Sequence, residues 1–538
     1  KSVNKLILKM ASISVAFTIL SVLLSSVSLA TSDPAFDNFL QCLHNHINPS
    51  DPISEAIFTP ASSSFESVLQ AYIKNGRFLT PTTPKPLAVI AAGHESHVQA
   101  TIICAKFHGL QIRIRSGGHD CEGLSYRSNT PVVLLDMFNL RSIDIDIQNE
   151  TAWVQAGATL GELYYSIANK SKVHAFPAGV CPTIGVGGHV SQGGYGNMLR
   201  KYGLSIDNVI DAQIINANGT ILNRETMGED LFWAIRGGGG ASFGVILSWK
   251  IKLVSVPEIV TVIHVERFLE QGATDIVYQW QQVAHNLDND LFIRAMPQVV
   301  NGSRPNEKTV KVSFIGFFLG QMDRLLQLVN ESFPLLGLKQ NECKELSWIE
   351  STIFWADFPN GTSIDVLLNR PSKPVTTFYK TKSDYVKNVI PKEGLESIWK
   401  MLLLRDWNMR MEWNPYGGKM NEISETETAF PHRSGYLFKI QYSTSWADEA
   451  NIDNQINWLR DVYAGMQTYV TKNPREVFMN YRDLDIGSNP SNQTDFKNAE
   501  VYGHKFFKNN FQRLTKVKAA IDPDNFFKHE QSIPPYPV

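Results

Sequence analysis

Four clusters of glycine lie within about 125 residues of this chain, and they constrain its fold more than any other feature. Two of them carry a reactive side chain: "RSGGHD" (115–120) holds a histidine, and "GVCPTIGVGGH" (179–189) holds one of only five cysteines. Glycine allows positive φ angles and lets backbone amides approach a ligand closely, which suits a phosphate or a flat ring. A set of tight turns in an irregular sheet is the alternative. The clusters comprise Gly117–Gly118, Gly185/Gly187/Gly188, Gly193/Gly194/Gly196 and Gly237–Gly240.

Length and charge limit the classes of protein to consider. With 538 residues, 43% of them hydrophobic, the chain can bury a large core and exceeds the usual size of one domain. Its 50 basic residues nearly balance its 52 acidic residues, and neither sign forms a long run. This balance argues against a nucleic-acid partner and favours small molecules or neutral polymers.

The first thirty residues predict a secretory signal peptide (1–30). Lys5 and Lys9 precede the apolar stretch "ASISVAFTILSVLL" (11–24), and small residues lead to Ala30. A membrane anchor is the alternative, but the apolar run is shorter than the roughly 20 residues that a span needs. Residues 1–9 are also open to interpretation as an upstream extension, because Met10 is the first methionine. We expect the secretory pathway and the extracellular space or apoplast, with a vacuole or an ER-derived vesicle as alternatives.

Two further features agree with secretion. In an oxidising compartment Cys42 and Cys104 can pair, which leaves Cys121, Cys181 and Cys343 as an odd number of thiols. Seven sequons offer sites for N-glycans, although such triplets also arise by chance. The sequon asparagines are Asn149, Asn169, Asn218, Asn301, Asn330, Asn360 and Asn492.

The pattern of short strands and helices predicts an α+β protein. A helix-like segment (94–108) precedes short strands, and Thr159 with Glu162 forms a capping box at the start of another helix. Longer helices at 321–330 and 450–470 mix with strands at 309–318 and 436–442, and the C-terminal stretch is predicted as one helix before an aromatic, proline-rich tail. No G-x-G-x-x-G, Walker A or zinc-helix motif occurs, so we expect no metal. "GASFG" (240–244) matches a hydrolase elbow, but a strand-like pattern follows Ser242 where that elbow needs a helix.

Six motifs in chain order carry a family resemblance. They include "RIRSGGHDCEGLSY", "FPAGVCPTIGVGGHVSQGGYGNM", "LFWAIRGGGGASFG", "PYGGKMNEISETETAFPHR", "NYRDLDIG" and "DPDNFFKHEQSIPP". Together they resemble the plant berberine bridge enzyme-like flavoproteins, and "YSTSW" with "NYRDLDIG" looks like the cannabinoid synthase branch. The resemblance implies the p-cresol methylhydroxylase/vanillyl-alcohol oxidase-type FAD-binding fold with an inserted α+β domain. It implies an FAD-binding domain (31–255), a substrate-binding domain (256–475) and a C-terminal segment that returns to the FAD domain (476–538).

The resemblance also implies a bicovalent FAD. In the family a histidine bonds the flavin 8α-methyl and a cysteine bonds C6; the matching residues are His119 and Cys181. Two such links should make the flavin a stronger oxidant. A core histidine and a buried free thiol are the alternatives. Further contacts to FAD are expected from Arg115, Ser116, Gly117, Gly118, Asp120, Ser125, Gly179, Thr183, Gly185, Gly187, Gly188, His189, Gly194, Gly196, Gly244 and Asn525.

For catalysis, the resemblance implies hydride transfer to flavin and a nearby base. Tyr481 matches the basic tyrosine of the cannabinoid synthases, and since a free tyrosine has a pKa of about 10, a neighbouring cation would have to lower it. "YLFKIQY" (436–442), as a strand, puts Lys439 and Gln441 on one face, where related oxidases place such a pair with a tyrosine matching Tyr195. A solvent-facing Lys and Gln on an edge strand, and a core tyrosine, are the alternatives.

Departures from the family pattern concern the substrate. Cys121 and Phe478 stand where relatives often have tyrosine, and Asn414 replaces a tyrosine of the cannabinoid synthases. Fewer hydroxyls favour an apolar or phenolic ligand over a sugar. Ile184 lies where the family tunes oxygen access, and its bulk predicts slow reoxidation by oxygen.

We therefore expect a monomeric plant oxidoreductase that transfers a hydride from a phenolic, prenylated-phenol or alkaloid-type substrate to FAD, with or without oxidative cyclisation. Electrons then pass to O2 or another acceptor. Two alternatives are a carbohydrate oxidase or dehydrogenase of the same family, and a non-redox cyclase of the Diels–Alderase type that keeps flavin as a scaffold.

Overall fold

Short apolar strands in the first part of the chain form two sheets. The computed structural model describes residues 34–46, 51–304, 306–370, 375–405, 409–490 and 493–537. The first sheet has the order β1-β2-β4-β3, in which β2, β3 and β4 are parallel and β1 is antiparallel to β2. Its strands are β1 (Ile57–Phe58), β2 (Ala88–Ala91), β3 (Gln111–Arg115) and β4 (Val132–Asp136).

The second sheet is antiparallel and has the order β5-β6-β10-β8-β9, while β7 and β11 form a separate pair. Alternating apolar residues of β6 and β10, including Trp249, are fully buried in a core between this sheet and its helices. The strands are β5 (Ile143–Asp146), β6 (Thr151–Gln155), β7 (His174–Ala175), β8 (Val209–Ile215), β9 (Ile221–Leu222), β10 (Val245–Lys252) and β11 (Val254–Ser255).

Residues 260–446 contribute an antiparallel seven-stranded sheet with the order β15-β12-β14-β13-β17-β18-β16. Alternate residues of its strands pack against helices in a second core, so the other face is free to line a site. The strands are β12 (Val260–Phe268), β13 (Leu291–Asn301), β14 (Lys308–Phe318), β15 (Cys343–Leu346), β16 (Phe378–Val386), β17 (Met409–Pro415) and β18 (Phe438–Trp446).

The helices cover the sheets and form near the predicted positions. The helix predicted at 94–108 spans Glu95–Phe107, and the capping box holds, because the Thr159 hydroxyl accepts from the Glu162 amide and the Glu162 carboxylate accepts from the Thr159 amide. The helices are α1 (Pro34–Asn45), α2 (Phe65–Gln70), α3 (Glu95–Phe107), α4 (Leu160–Lys170), α5 (Val186–Ser191), α6 (Leu199–Tyr202), α7 (Arg224–Ile235), α8 (Ala273–Val283), α9 (Met322–Ser332), α10 (Trp348–Trp355), α11 (Lys392–Leu402), α12 (Lys419–Glu422), α13 (Ile452–Gly465), α14 (Phe496–Phe507) and α15 (Asn510–Ile521).

The C-terminal stretch differs from its prediction as one helix. It forms α14 and α15, because Lys508 between them adopts a left-handed φ of 49° that no α-helix continues through. The hydrolase alternative finds no support, since Ser242 is buried, lies in a 3₁₀ turn and leads into β10 rather than a helix. Its hydroxyl accepts from the Ile533 amide, so Ser242 anchors the C-terminal tail.

The predicted disulfide is confirmed, and Cys42–Cys104 ties α1 to α3. The predicted signal peptide and Asn492 lie outside the described residues. Within the part of the chain that the structure describes, no helix has the length and apolar character needed to cross a bilayer. The other six sequon asparagines are exposed: Asn149, Asn169, Asn218, Asn301, Asn330 and Asn360.

Candidate active site

A cavity of about 460 Å³ lies between the glycine-rich loops and the seven-stranded sheet. The loops before and after α5 form one wall, and β13, β16, β17 and β18 contribute to the other. Most residues predicted for the site line this cavity. They are Ser116, Gly117, Gly118, His119, Asp120, Cys121, Ser125, Gly179, Cys181, Ile184, Gly185, Gly187, Gly188, His189, Tyr195, Gly196, Gly244, Gln441, Phe478 and Tyr481.

The two loops that carry the reactive side chains touch through glycine. A Cβ atom at Gly117 would lie 2.3 Å from the backbone nitrogen of Gly185, so neither loop has room for a side chain there. At Gly188, by contrast, an added Cβ would meet nothing within 4 Å, and the backbone faces open space in the cavity wall. The glycines therefore serve two purposes, since some let the loops meet and one exposes backbone to a ligand.

One hydroxyl bridges His119 and Cys181. The Thr183 hydroxyl oxygen lies 2.8 Å from Nε2 of His119 and 3.6 Å from Sγ of Cys181. Burial lowers the pKa of His119 to about 3, and the nearby charge of Lys74 acts in the same direction. The imidazole is therefore neutral near pH 7, and its Nε2 atom is the ring nitrogen that contacts Thr183. Thr183 does not line the cavity itself but orients both predicted attachment residues.

At the far side of the cavity, three aromatic rings enclose a buried amine. The Nζ atom of Lys439 lies 3.2 Å from the ring centroid of Tyr195, 3.8 Å from that of Phe478 and 4.5 Å from that of Tyr481. Lys439 is fully buried, and no hydrogen-bond partner for its Nζ lies among the described residues. The predicted alternation holds, because Phe438, Ile440 and Tyr442 pack in the core while Gln441 lines the cavity. β18 lies between β16 and β17, so these residues are not on an edge strand.

The protonation states in this cage differ from the expected ones. Burial raises the pKa of Tyr481 well above its usual value. The neighbouring Tyr195 hydroxyl and the Glu412 carboxylate raise this pKa further. Burial likewise lowers the pKa of Lys439 well below its usual value. We expected Lys439 to be the cation that lowers the pKa of Tyr481. In the structure the guanidinium of Arg294 lowers the pKa of Tyr481 instead, and burial favours the neutral form of the Lys439 amine.

A cluster of the buried Glu412 and Arg294 with the half-exposed Arg410 was missed in the sequence. Glu412 on β17 forms an ion pair with Nη1 of Arg294 at 3.2 Å and accepts a hydrogen bond from Nε of Arg410 at 2.9 Å. All three line the cavity. The signal was present in "MRMEWNP" (409–415), where polar residues alternate with Met409, Met411 and Trp413 of the core as in β18.

Several predicted contact residues hold the walls instead of lining them. Arg115 is buried, and its Nη2 atom lies 2.6 Å from a carboxylate oxygen of Asp136 and also donates to the Val68 carbonyl. These partners offset the cost of burying a guanidinium. Gly194 packs on Ser205 and donates its amide to Asn480, while Asn525 donates to the Thr494 hydroxyl. Asn414 lies opposite Lys439 in the β17–β18 register and donates to the Glu412 carbonyl.

The C-terminal segment closes the cavity over the first predicted attachment residue. Nε of Arg482 donates to Asp120 at 2.8 Å, so the residue after Tyr481 pairs with the residue after His119. Asp120 also accepts the backbone amides of Glu122 and Leu124, which fixes the loop after His119. Arg482 and His529 were not predicted for the site, and both line the cavity.

The residues present fit FAD. His119 and Cys181 supply an imidazole nitrogen and a thiol beside one shared hydroxyl, as two bonds to neighbouring positions of one flat ring require. Ser125 Oγ and Arg482 Nη1 are buried on cavity-lining residues without a partner among the described residues, so they are available to the polar atoms of a ligand. The Gly188 backbone is open to the cavity in the same wall.

Comparison with known proteins defines the class. Residues 86–224 match the FAD binding domain family, and residues 477–534 match the berberine and berberine-like family. Fold and site are thus those of an FAD-binding oxidoreductase.

Individual relatives narrow the class to a family. The chain is 57% identical to berberine bridge enzyme-like 17 of Arabidopsis thaliana over 97% of this chain and 99% of that one, and 51% identical to tetrahydroberberine oxidase of Berberis wilsoniae over 98% and 99%. The solved structure of wild-type Phl p 4.0202, a glucose dehydrogenase, superposes with a TM-score of 0.88 at 41% identity, covering 93% of this chain and all of that one. An isoleucine-to-valine variant of Phl p 4 is a glucose oxidase. The chain belongs to the berberine bridge enzyme-like family.

Proposed function

We propose that the protein oxidises a small phenolic or prenylated-phenol substrate by hydride transfer, with FAD bonded to His119 and Cys181 and with Tyr481 as the base. The observation that carries this proposal is the cage of Tyr195, Phe478 and Tyr481 around the buried amine of Lys439. In this cage two tyrosine rings lie against an amine whose pKa burial lowers.

When bound, FAD supplies the hydride acceptor. The chain supplies the proton acceptor, since a substrate that loses a hydride from carbon must also lose a proton from its hydroxyl. Tyr481 takes that proton as tyrosinate. Because burial lowers the pKa of Lys439, its amine can accept the Tyr481 proton. The ammonium and phenolate that result add no net charge to the cage.

The cavity wall favours a neutral aromatic substrate over a cationic alkaloid. Arg294 and Arg410 place two positive charges beside the single carboxylate of Glu412, which both already engage. A protonated amine would meet no free carboxylate in this cluster. The rings of Trp355 and Tyr379 on the same cavity wall offer apolar surface to a substrate ring.

A carbohydrate is the second candidate, and the likeness to the glucose dehydrogenase Phl p 4 favours it. Against it stand Cys121 and Phe478, two cavity positions without a hydroxyl. A cyclisation without net redox change is the remaining alternative.

We also propose that the protein enters the secretory pathway. The Cys42–Cys104 disulfide and the exposure of the six described sequon asparagines support this proposal. A loss of mass on treatment of the plant protein with N-glycosidase tests it, and an unchanged mass would count against it.

Anaerobic flavin absorbance during additions of phenolic alcohols, prenylated phenols, alkaloids and oligosaccharides tests the catalytic proposal. We expect bleaching by a phenolic class only. Tyr481→Phe should slow bleaching about 10²- to 10⁴-fold, as the loss of a general base does, and Lys439→Met should slow it in the same direction. The exposed Tyr536→Phe is the matched control and should retain the rate.

The other outcomes are equally informative. Bleaching by oligosaccharides alone would establish the carbohydrate candidate. Substrate conversion with an unbleached flavin would overturn the redox proposal in favour of a cyclase. Full activity of Tyr481→Phe would remove Tyr481 as the base.

A further inference from the structure

The carboxylate of Glu412 is linked to the ring beside the proposed base through one guanidinium. Glu412 is 8% exposed, and its Oε2 atom lies 3.2 Å from Nη1 of Arg294. Nη2 of the same guanidinium donates to the Tyr195 hydroxyl at 3.4 Å. The Tyr195 ring meets the Tyr481 ring edge-on, with the ring centroids 6.2 Å apart, and each tyrosine affects the pKa of the other. One guanidinium therefore lies between the carboxylate and the tyrosine pair.

Strand register fixes this arrangement. β17 pairs with β18 so that Glu412 lies opposite Gln441 and Asn414 lies opposite Lys439. β13 pairs with β17 on the other side and brings Arg294 to the same face. The half-exposed guanidinium of Arg410 holds the other carboxylate oxygen, which keeps Glu412 oriented toward the buried Arg294.

We propose that Glu412 is a positioning residue that holds the Arg294 guanidinium against Tyr195 and balances its charge at the Tyr195–Tyr481 hydroxyl pair. The proposal rests on the proposed function, in which Tyr481 is the base. Glu412 does not touch that pair and acts only through Arg294 and through its own charge.

The sign of the effect follows from the charges around the pair. The carboxylate of Glu412 raises the pKa of Tyr481 and of Tyr195, whereas the guanidinium of Arg294 lowers both. Lys439 on β18 lies against both rings. The polar and titratable groups that line the same cavity as the pair include Arg294 from β13, Tyr379 from β16, Glu412 and Arg410 from β17, Gln441 from β18, His189 from α5 and Cys121 from the loop after β3.

The test is the pH dependence of anaerobic flavin reduction by a phenolic substrate in the flavin-loaded enzyme. Activity should rise as the base loses its proton, which gives the profile an ascending limb. Glu412→Gln keeps the shape and an acceptor oxygen but removes the charge, so the limb should move to lower pH by about one unit. Arg294→Gln removes the opposing charge and should move the limb to higher pH.

The matched control is Glu266→Gln on β12, in the same sheet, whose partly exposed carboxylate pairs with Lys311 at 2.6 Å. It should leave the limb in place. An unchanged limb in Glu412→Gln, or a shift of both cluster variants in one direction, would overturn the inference. If Glu412→Gln fails to load flavin, the direction in which Arg294→Gln shifts the ascending limb of the pH profile becomes the deciding result.

Failure of the inference and failure of the proposed function are distinguishable in this assay. If Tyr481→Phe retains the rate and the ascending limb, the base is misassigned and the proposed function falls. If Tyr481→Phe reduces flavin much more slowly while Glu412→Gln keeps the ascending limb of the wild-type pH profile, only the proposed role of Glu412 is wrong.

Discussion

His119 and His189 both line the cavity, and burial lowers the pKa of each imidazole to about 3. Both are therefore neutral over the whole range in which the enzyme is expected to work. A neutral His119 has a lone pair available for a bond to flavin, whereas a protonated one would not. The Nε2 atom of His189 accepts the Gly179 amide at 3.1 Å, so this histidine holds the loop that carries Cys181.

The motif around His119 predicts the residue type but not its protonation state. That state depends on desolvation by residues far away in the chain, which no local pattern encodes. The same holds for Lys439. Its position on the cavity side of β18 follows from alternation, but its lowered pKa follows from burial among three rings that other segments bring there.

Ile184 yields a prediction at the scale of one side chain. It lines the cavity three residues after Cys181, and its amide donates to the Cys181 carbonyl at 3.3 Å. Ile184→Val removes one methylene there and should open space for oxygen. Reoxidation of the reduced flavin by O2 should accelerate at least about tenfold, equivalent to ~1.4 kcal/mol of barrier, measured by stopped flow.

Ile167→Val is the matched control, because it removes the same methylene from a fully buried core position on α4. It should leave reoxidation unchanged while costing about 1 kcal/mol of stability. Equal reoxidation rates for wild type and Ile184→Val would contradict the assignment of Ile184 to oxygen access.

The meeting of two loops is the decisive feature at the scale of elements. "RSGGHD" and "GVCPTIGVGGH" are each glycine-rich, and the sequence predicts that each makes a turn beside a ligand. Only the structure brings Gly117 against Gly185, which places His119 and Cys181 around the Thr183 hydroxyl. Pairing between loops more than sixty residues apart depends on how β3 and α5 pack, which local preferences do not fix.

Gly117→Ala tests this contact. The new Cβ would lie 2.3 Å from the Gly185 nitrogen, so one loop must shift and the two attachment residues would lose their common position. We expect at least one covalent flavin link to fail, detected as flavin released on acid precipitation or as a peptide of unmodified mass at His119 or Cys181.

The control is Gly93→Ala, where an added Cβ would meet nothing within 4 Å. It should keep both links at the wild-type level. Full bicovalent attachment in Gly117→Ala would show that the close approach of the loops is not what positions the two residues.

Three segments distant in sequence meet in one buried ionic network at the scale of the molecule. Lys380 and Lys382 on β16 both donate to the carboxylate of Asp483, at 2.7 and 2.6 Å. Lys380 also pairs with Glu122 from the loop after His119. The network joins the C-terminal segment, the seven-stranded sheet and the loop of the proposed FAD attachment, so it stabilises the closed cavity.

Asp483→Asn should strongly destabilise the protein. It removes the carboxylate nearest to two ammonium groups that are each at most 3% exposed, and leaves Lys382 with the partly exposed Asp485 at 2.8 Å and Lys380 with Glu122. Breaking a buried ion pair on one side costs up to about 3–5 kcal/mol. The midpoint of urea unfolding of the flavin-loaded enzyme should fall accordingly.

Asp230→Asn is the comparison, since the exposed Asp230–Arg513 pair should contribute no more than about 1 kcal/mol. If both variants unfold at the same urea concentration, the buried network does not hold the three segments together.

The sequence by itself determined the parts of this protein that depend on neighbouring residues. Glycine placed the turns, a Thr-x-x-Glu box began α4, alternation set the two faces of β18, and the motifs around His119 and Cys181 carry the proposed flavin attachment. The tertiary structure decided which of these parts meet. It brought Glu412 and Arg294 behind Tyr195, enclosed Lys439 in three rings and closed the cavity with the C-terminal segment. Turns and faces follow from local steric preferences, whereas pairing and protonation depend on burial, which is a property of the whole packed chain.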